Sequence, residues 1–222
     1  MNKNSNSVMV IDIGGTNVKV LANGRKEAVK IPSGATMTPT KMVAEIRKAL
    51  GDCKYSSVSI GYPGPVVNGK PAAEPHNLAP GWVAFDYKTA FRCPVKLIND
   101  AAMQALGSYE GGRMLFLGLG TGLGSALIVE GALAPMELAH LPYKKGTFED
   151  YVGLRGLEKY GKKKWRGFVN DVVLKLKAAL VADYVVLGGG NAKSLKELPP
   201  NVRLGENANA FRGGTRLWEE KK

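Results

Sequence analysis

The chain has 222 residues, 45% of them hydrophobic, which is enough core for one large domain or two small lobes of an ordinary globular protein. Lys and Arg outnumber Asp and Glu by 31 to 19, a formal charge of +12, and this favours a polyanionic partner such as a nucleotide, polyphosphate or nucleic acid without choosing among them. Met1–Ser7 is polar and lacks the apolar core of a signal peptide, no run of about 18 apolar residues offers a membrane span, and Cys53 and Cys93 lie far apart and form no paired-cysteine metal motif; the expected setting is reduced and cytoplasmic.

Val8–Lys19 organises the rest. Four apolar or β-branched residues run into Asp12, Gly14 and Gly15 turn the backbone, and Asn17–Leu21 leaves as a second strand, so the stretch reads as a β-hairpin. The two glycines let an anion approach the backbone and point N–H groups at it, while Thr16 adds a hydroxyl donor. Asp12, at the strand end, suits a magnesium ion with its waters. Asn23-Gly24 then signals a tight turn into a third antiparallel strand at Glu27–Ile31. Thr38 as N-cap and Pro39 at the first helical position open a helix that carries Met42, Val43, Ile46, Ala49 and Leu50 on its apolar face and ends near Gly51.

Val58 and Ile60 mark a strand that breaks at Gly61–Pro65, and Val66-Val67-Asn68-Gly69 continues as a short hairpin. Glu74–Trp82 is a proline- and glycine-fixed loop presenting His76, Asn77 and Trp82: either a binder of a polar small molecule or a surface loop pinned by one buried tryptophan. Val95–Ile98 runs as a strand into Asn99-Asp100 and a helix from Ala101. Either Asx residue can cap that helix, and Asp100 is also placed as a general base for a docked hydroxyl.

Leu115–Val129 repeats the strand, glycine turn, strand pattern, with Gly120, Thr121 and Gly122 in the turn; two such hairpins suggest one phosphate chain or nucleotide held from two sides. Glu137 and His140, three residues apart, fall on one side of a helical turn or across a tight loop, and their chemistry suits vicinal sugar hydroxyls as well as a structural role. Glu149–Gly161 and Lys162–Val181 read as helices, and the basic run Lys159–Arg166 between them is a solvated face or a polyanion track. Tyr184–Leu187 is a buried strand opening into a third glycine turn, Gly188–Asn191, before a helix, and Phe211–Lys221 closes the chain as a helix on the first lobe.

Asp12-Ile-Gly-Gly-Thr16, Gly61-Tyr-Pro-Gly64, Asn77-Leu-Ala-Pro-Gly-Trp82, Asn99-Asp100-Ala-Ala, Gly118–Gly124, Glu137-Leu-Ala-His140 and Gly188–Gly190 stand in the order seen in ROK-family sugar kinases. Over roughly Val8 to Trp218 the chain most resembles the short branch that includes the bacterial polyphosphate glucokinases. The resemblance implies an α/β, actin-like ATPase (RNase H-like), two-lobed sugar kinase fold: an N-terminal lobe over 1–98, a C-terminal lobe over 99–205, and a C-terminal helix over 206–222 that packs back on the first lobe. It also implies a cleft in which Asp100 takes the proton from the sugar 6-hydroxyl as it attacks the terminal phosphoryl group. Asn77, Asn99, Glu137, His140 and Glu149 would hold the sugar ring, with Gly64 beneath it. Asp12 would organise Mg²⁺ through water, Gly14, Gly15, Thr16, Gly120, Thr121 and Gly122 would hold phosphates, and Gly189 and Gly190 would border adenosine.

Three departures from the family pattern stand out. Tyr143–Phe148 has no cysteine where many ROK kinases carry a zinc loop, so no structural zinc is expected. Ala139 replaces the glycine of Glu-x-Gly-His, and, with the sequence beginning at the first strand, the helix-turn-helix domain of the ROK repressors is not expected. The expected activity is glucose phosphorylation with ATP or polyphosphate as donor and Mg²⁺ as cofactor, in a homodimer with no nucleic-acid or membrane partner. The competing reading is a non-catalytic sugar or nucleotide sensor of the same fold.

Overall fold

The computed structural model describes residues 7–22, 25–206 and 208–219. The expected turn at Asn23-Gly24 and the last residues of the expected closing helix lie outside them. The chain divides into two compact units: residues up to Met103 together with those from Ala210 onward, and Gln104–Asn209. The division falls a few residues beyond the one expected from sequence and leaves Asn99 and Asp100 in the first unit.

The first unit contains β1 (Val8–Ile13), β2 (Asn17–Leu21), β3 (Val29–Pro32), α1 (Pro39–Leu50), β4 (Ser57–Tyr62), the short pair β5 (Val66–Val67) and β6 (Lys70–Pro71), α2 (Tyr87–Phe91) and β7 (Val95–Asn99); α3 (Asp100–Ser108) leads out of it. Its sheet has the order β3-β2-β1-β4-β7, with β1, β4 and β7 parallel and β2 and β3 antiparallel. The local chemistry explains α1: the Thr38 hydroxyl accepts from the Lys41 N–H at 3.2 Å, Pro39 needs no N–H partner in the first turn, and Gly51 stops the helix at φ 59°. Met42, Val43, Ile46 and Leu50 enter the core, whereas Ala49, expected on the same face, is exposed. Met9, Ile11, Val58, Ile60 and Trp82 fill that core.

The second unit contains β8 (Arg113–Leu119), β9 (Leu123–Val129), β10 (Ala132–Met136), the short pair β11 (Pro142–Tyr143) and β12 (Gly146–Thr147), α4 (Phe148–Val152), α5 (Leu154–Ala179), β13 (Tyr184–Gly188) and β14 (Val202–Leu204). Its sheet runs β10-β9-β8-β13-β14, again two antiparallel strands followed by three parallel ones. The break expected near residue 161 is real: Gly161 takes φ 71°, ψ 160° and interrupts α5. The third glycine turn opens into a short 3-10 turn, Ala192–Ser194, rather than an α-helix. Trp165 anchors this core as Trp82 anchors the other, both with 0% exposure, and each such ring contributes about 4–6 kcal/mol of transfer free energy. The last helix, α6 (Asn209–Arg216), is shorter than expected and lies against β1 and β4: the Ser59 hydroxyl donates to Gly214 O at 2.6 Å, and a side chain at Gly214 would strike Val10. Among the described residues no helix is long and apolar enough to cross a membrane.

Candidate active site

Asp12 is 6% exposed and its Oδ2 lies 3.0 Å from Lys19 Nζ. The hairpin register places the two residues opposite each other, so the ion pair follows from strand pairing. In the same register Asp12 faces Gly61 on β4, and Gly61 faces Ile98 on β7. Gly61 is where α3 comes close: a Cβ there would run into Met103 and stand 3.4 Å from Asp100 Cα. With no side chain in that strand position, the two carboxyl groups sense each other across β4.

Asp100 is half-buried at the first position of α3. Burial, and next the charge of Asp12, push its carboxyl up to about 7, against the Ala101 N–H, which donates to Oδ1 at 2.8 Å, and against Lys19. A carboxyl in that range is partly ionised at neutral pH and accepts a proton with little penalty, as a general base must. Asn99 is the cap of α3: its Oδ1 accepts from the Ala102 N–H at 3.1 Å, while its Nδ2 donates to Gly64 O at 3.1 Å. The side chain is thus held at both ends, and its second amide hydrogen is what remains for a ligand. Gly64 in turn rests on the Tyr62 ring.

The loop before α2 fits both of its expected readings. Trp82 is enclosed and its indole donates to Ala79 O at 2.6 Å, while the Glu74 carboxylate accepts from the N–H groups of Gly81, Trp82 and Val83. Thus fixed, the loop keeps Asn77 exposed with its Cβ against Gly15; a Cβ on Gly15 would be 3.2 Å away. The structure therefore brings together Asp12, Gly15, Asn77, Gly64, Asn99 and Asp100 within the first unit.

One expectation for the glycine turns needs correcting. Gly14 does not offer its N–H to an anion; it donates to Asn17 O at 3.0 Å and closes the turn, and Gly120 does the same to Gly122 O at 3.2 Å. The expected phosphate contacts are thereby narrowed to Gly15 and Thr16 in the first turn and to Thr121 and Gly122 in the second. The first turn is buttressed by Ser33, whose hydroxyl donates to Gly14 O at 2.6 Å and whose N–H donates to Thr16 O at 2.9 Å.

In the second unit, Glu149 sits over Gly122. Its Oε2 accepts from the Leu123 N–H at 3.3 Å and fills the space that a Cβ at Gly122 would need. The Glu149 N–H donates to Ala139 O at 3.0 Å, which ties the Glu137–His140 turn to the same place, with Glu137 and His140 both exposed. The third glycine turn joins them: the Asn191 N–H donates to Leu119 O at 3.0 Å, Asn191 Nδ2 donates to Gly120 O at 2.9 Å, and Gly189, at φ 84°, backs onto Leu119. Gly120–Gly122, Glu137, His140, Glu149, Gly189 and Gly190 thus share one region.

Lys19, Ser33, Glu74 and Asn191 are the residues that sequence reasoning missed. Lys19 had a signal in the hairpin register; the other three act through contacts across loops, where no periodicity points to them.

The first-unit donor set suits a hydrated Mg²⁺. Asp12 and Asp100 are neighbouring carboxylates, and Lys19 pairs with Asp12. Among the described residues no group of three or more His, Cys, Asp and Glu side chains is placed to hold a metal, and Mg²⁺ characteristically keeps its waters and takes one or two carboxylates plus substrate phosphate.

Residues 8–135 match the ROK family, and the chain belongs to that family. The polyphosphate glucokinase of Mycobacterium leprae (strain TN) is 26% identical over 206 residues, covering 81% of this chain and 62% of that protein, so the chain spans less than two thirds of that relative's length. The inorganic polyphosphate/ATP-glucomannokinase from Arthrobacter sp. strain KM superposes with a TM-score of 0.77 at 24% identity, covering 94% of this chain and 96% of that one. A ROK family glucokinase from Streptomyces griseus, in complex with glucose and AMPPNP, superposes with a TM-score of 0.73 at 16% identity, covering 95% and 98%. The fold is the actin-like ATPase fold of the ROK sugar kinases, as the motif order implied.

Proposed function

We propose that the protein is a hexokinase-type phosphotransferase that moves the terminal phosphoryl group of polyphosphate or ATP to the 6-hydroxyl of glucose. The observation that carries this reading is Asp100, a carboxyl raised to about 7 at the start of α3, just past the end of the parallel strand β7, with the Asp12–Lys19 pair beside it. Phosphoryl transfer asks the protein mainly for positioning and charge neutralisation, plus one acceptor for the hydroxyl proton.

Asp100 accepts that proton as the sugar oxygen attacks phosphorus and the bond to the donor's leaving phosphate breaks. Asn99 fixes the start of α3 and so aims the carboxylate, while Asn77, Gly64, Glu137, His140 and Glu149 are the groups this reading assigns to the sugar. Gly15 and Thr16, and Thr121 and Gly122, bind phosphate oxygens, and Gly189 and Gly190 border an adenosine when ATP is the donor. Mg²⁺, held through water by Asp12, would neutralise charge on the donor phosphates. The mycobacterial relative and the Arthrobacter structure are named for polyphosphate use, which supports polyphosphate as a donor beside ATP.

Purified protein assayed with glucose and with mannose, each against ATP and polyphosphate, tests the reading through formation of the sugar 6-phosphate. Product with at least one donor is expected. Sugar binding without product under every combination would replace the kinase with the sensor.

A further inference from the structure

Holding a phosphoryl donor calls for positive charge, and Gly120–Gly122 has none of its own. Contacts lead from that turn to one cation. The Leu154 N–H donates to Thr121 O at 3.1 Å, which seats the start of α5 on the turn. Glu149 lies over Gly122 and accepts from Leu123. Arg155 Nη2 then stands 3.4 Å from Glu149 Oε1 and 3.3 Å from Asp150 Oδ1.

These are poor contacts for an arginine. Both are long, both use a single nitrogen, and the side chain is 71% exposed; exposed pairs of this kind add little to stability. The guanidinium fork matches two oxygens of one phosphate or carboxylate, and here that match is unmade. Lys159, one helical turn further on, adds to the positive field acting on Asp150. Two carboxylates beside a phosphate-holding turn would repel a donor unless these cations answered them.

We propose that Arg155 binds the phosphoryl donor at Gly120–Gly122, exchanging its long contact with Glu149 for phosphate oxygens. The inference rests on the kinase reading above and gives it a donor-recognition residue that the glycine motifs do not contain. No bond is made or broken in this role; the guanidinium supplies charge and orientation.

The test compares wild type, R155A and, as a charge-matched control on exposed α1 surface, K48A. Tripolyphosphate binding is measured by titration calorimetry at constant ionic strength, and KM for donor and for glucose is measured separately. R155A is expected to weaken tripolyphosphate binding and raise donor KM by about tenfold or more, with glucose KM and the K48A values close to wild type. R155K should recover part of the loss, because it restores charge without the fork. Unchanged tripolyphosphate binding in R155A, or an equal loss in K48A, overturns the proposal. If wild type phosphorylates no sugar, the kinase reading fails while the titration still decides the role of Arg155. Should R155A not fold, R155Q, which keeps the stem and loses the charge, carries the same comparison.

Discussion

The two sheets share one strand order and one pattern of direction, β3-β2-β1-β4-β7 against β10-β9-β8-β13-β14, yet they charge their glycine turns in different ways. In the first, the acid is in the strand itself: Asp12 immediately precedes Ile13 and the turn, and its counter-charge, Lys19, sits opposite on the same hairpin. In the second, the matching strand position is Gly118 and the residue opposite is Gly124. Charge reaches that turn from Glu149 and Arg155, brought in by α4 and α5. One topology thus supports a turn charged by its own hairpin and a turn charged by distant sequence. The first is positioned by backbone pairing, the second by helix packing.

The largest effect is expected at Asp100. Replacement by Asn removes the proposed proton acceptor and should lower turnover roughly 10²–10⁴-fold while glucose binding survives; a variant that retains near-normal turnover would remove the general base from the mechanism. The same variant should be more stable than wild type at high pH. The carboxyl sits near 7 in the folded chain against an ordinary value of 3.8, so the folded state binds the proton more tightly than the unfolded state. Wild type therefore loses stability as pH rises from the ordinary value through about 7. Without substrates, D100N should melt above wild type at pH 8, and the gap should close towards pH 4. A constant gap would mean that burial of the acid is not its cause.

Much of the first unit was legible because its information is local. The Thr38-Pro39 start and Gly51 stop of α1, the hairpin around Gly14 and Gly15, and the Asn99 cap all depend on neighbours within a few residues. Even Lys19 was available from hairpin register. The second unit hid more: Glu149 reaches Leu123 and Asn191 reaches Gly120 only after helix and sheet have packed, and no spacing in the chain announces those meetings. Ala49 shows the converse error, for helical spacing marked it as core while the sheet leaves it exposed. The order of motifs supplied what local pattern lacked, since it carries the packing of a whole family fold.

Gly122 probes the second turn directly. A methyl group there meets the Glu149 carboxylate, the free end of a flexible side chain, so G122A should fold nearly as well as wild type. It should nonetheless push Glu149 off the Leu123 N–H and disturb both substrates, raising KM values by roughly tenfold, the worth of one hydrogen bond to a charged group. Loss of thermal stability with unchanged KM would show that Gly122 serves packing alone. K19M tests the first turn in a milder way. Lys19 pulls the Asp100 carboxyl down, so its removal should move the rising limb of kcat/KM to higher pH, and an unmoved limb would uncouple the hairpin pair from the base.

The smallest expected effect belongs to Ser33, which supports the first turn without bearing charge. Its hydroxyl donates to Gly14 O at 2.6 Å while its backbone N–H donates to Thr16 O, so S33A removes only the first of two ties. The deleted bond is partly buried, and its loss should cost about 1 kcal/mol in urea unfolding. Because the backbone tie and the Gly14–Asn17 closure persist, the turn should keep its shape and donor KM should rise only slightly. A large rise in donor KM with little change in stability would mean that the turn relies on this hydroxyl for its binding geometry. The first turn would then depend on a distant residue for its function, as the reading proposed above has the second depend on Glu149.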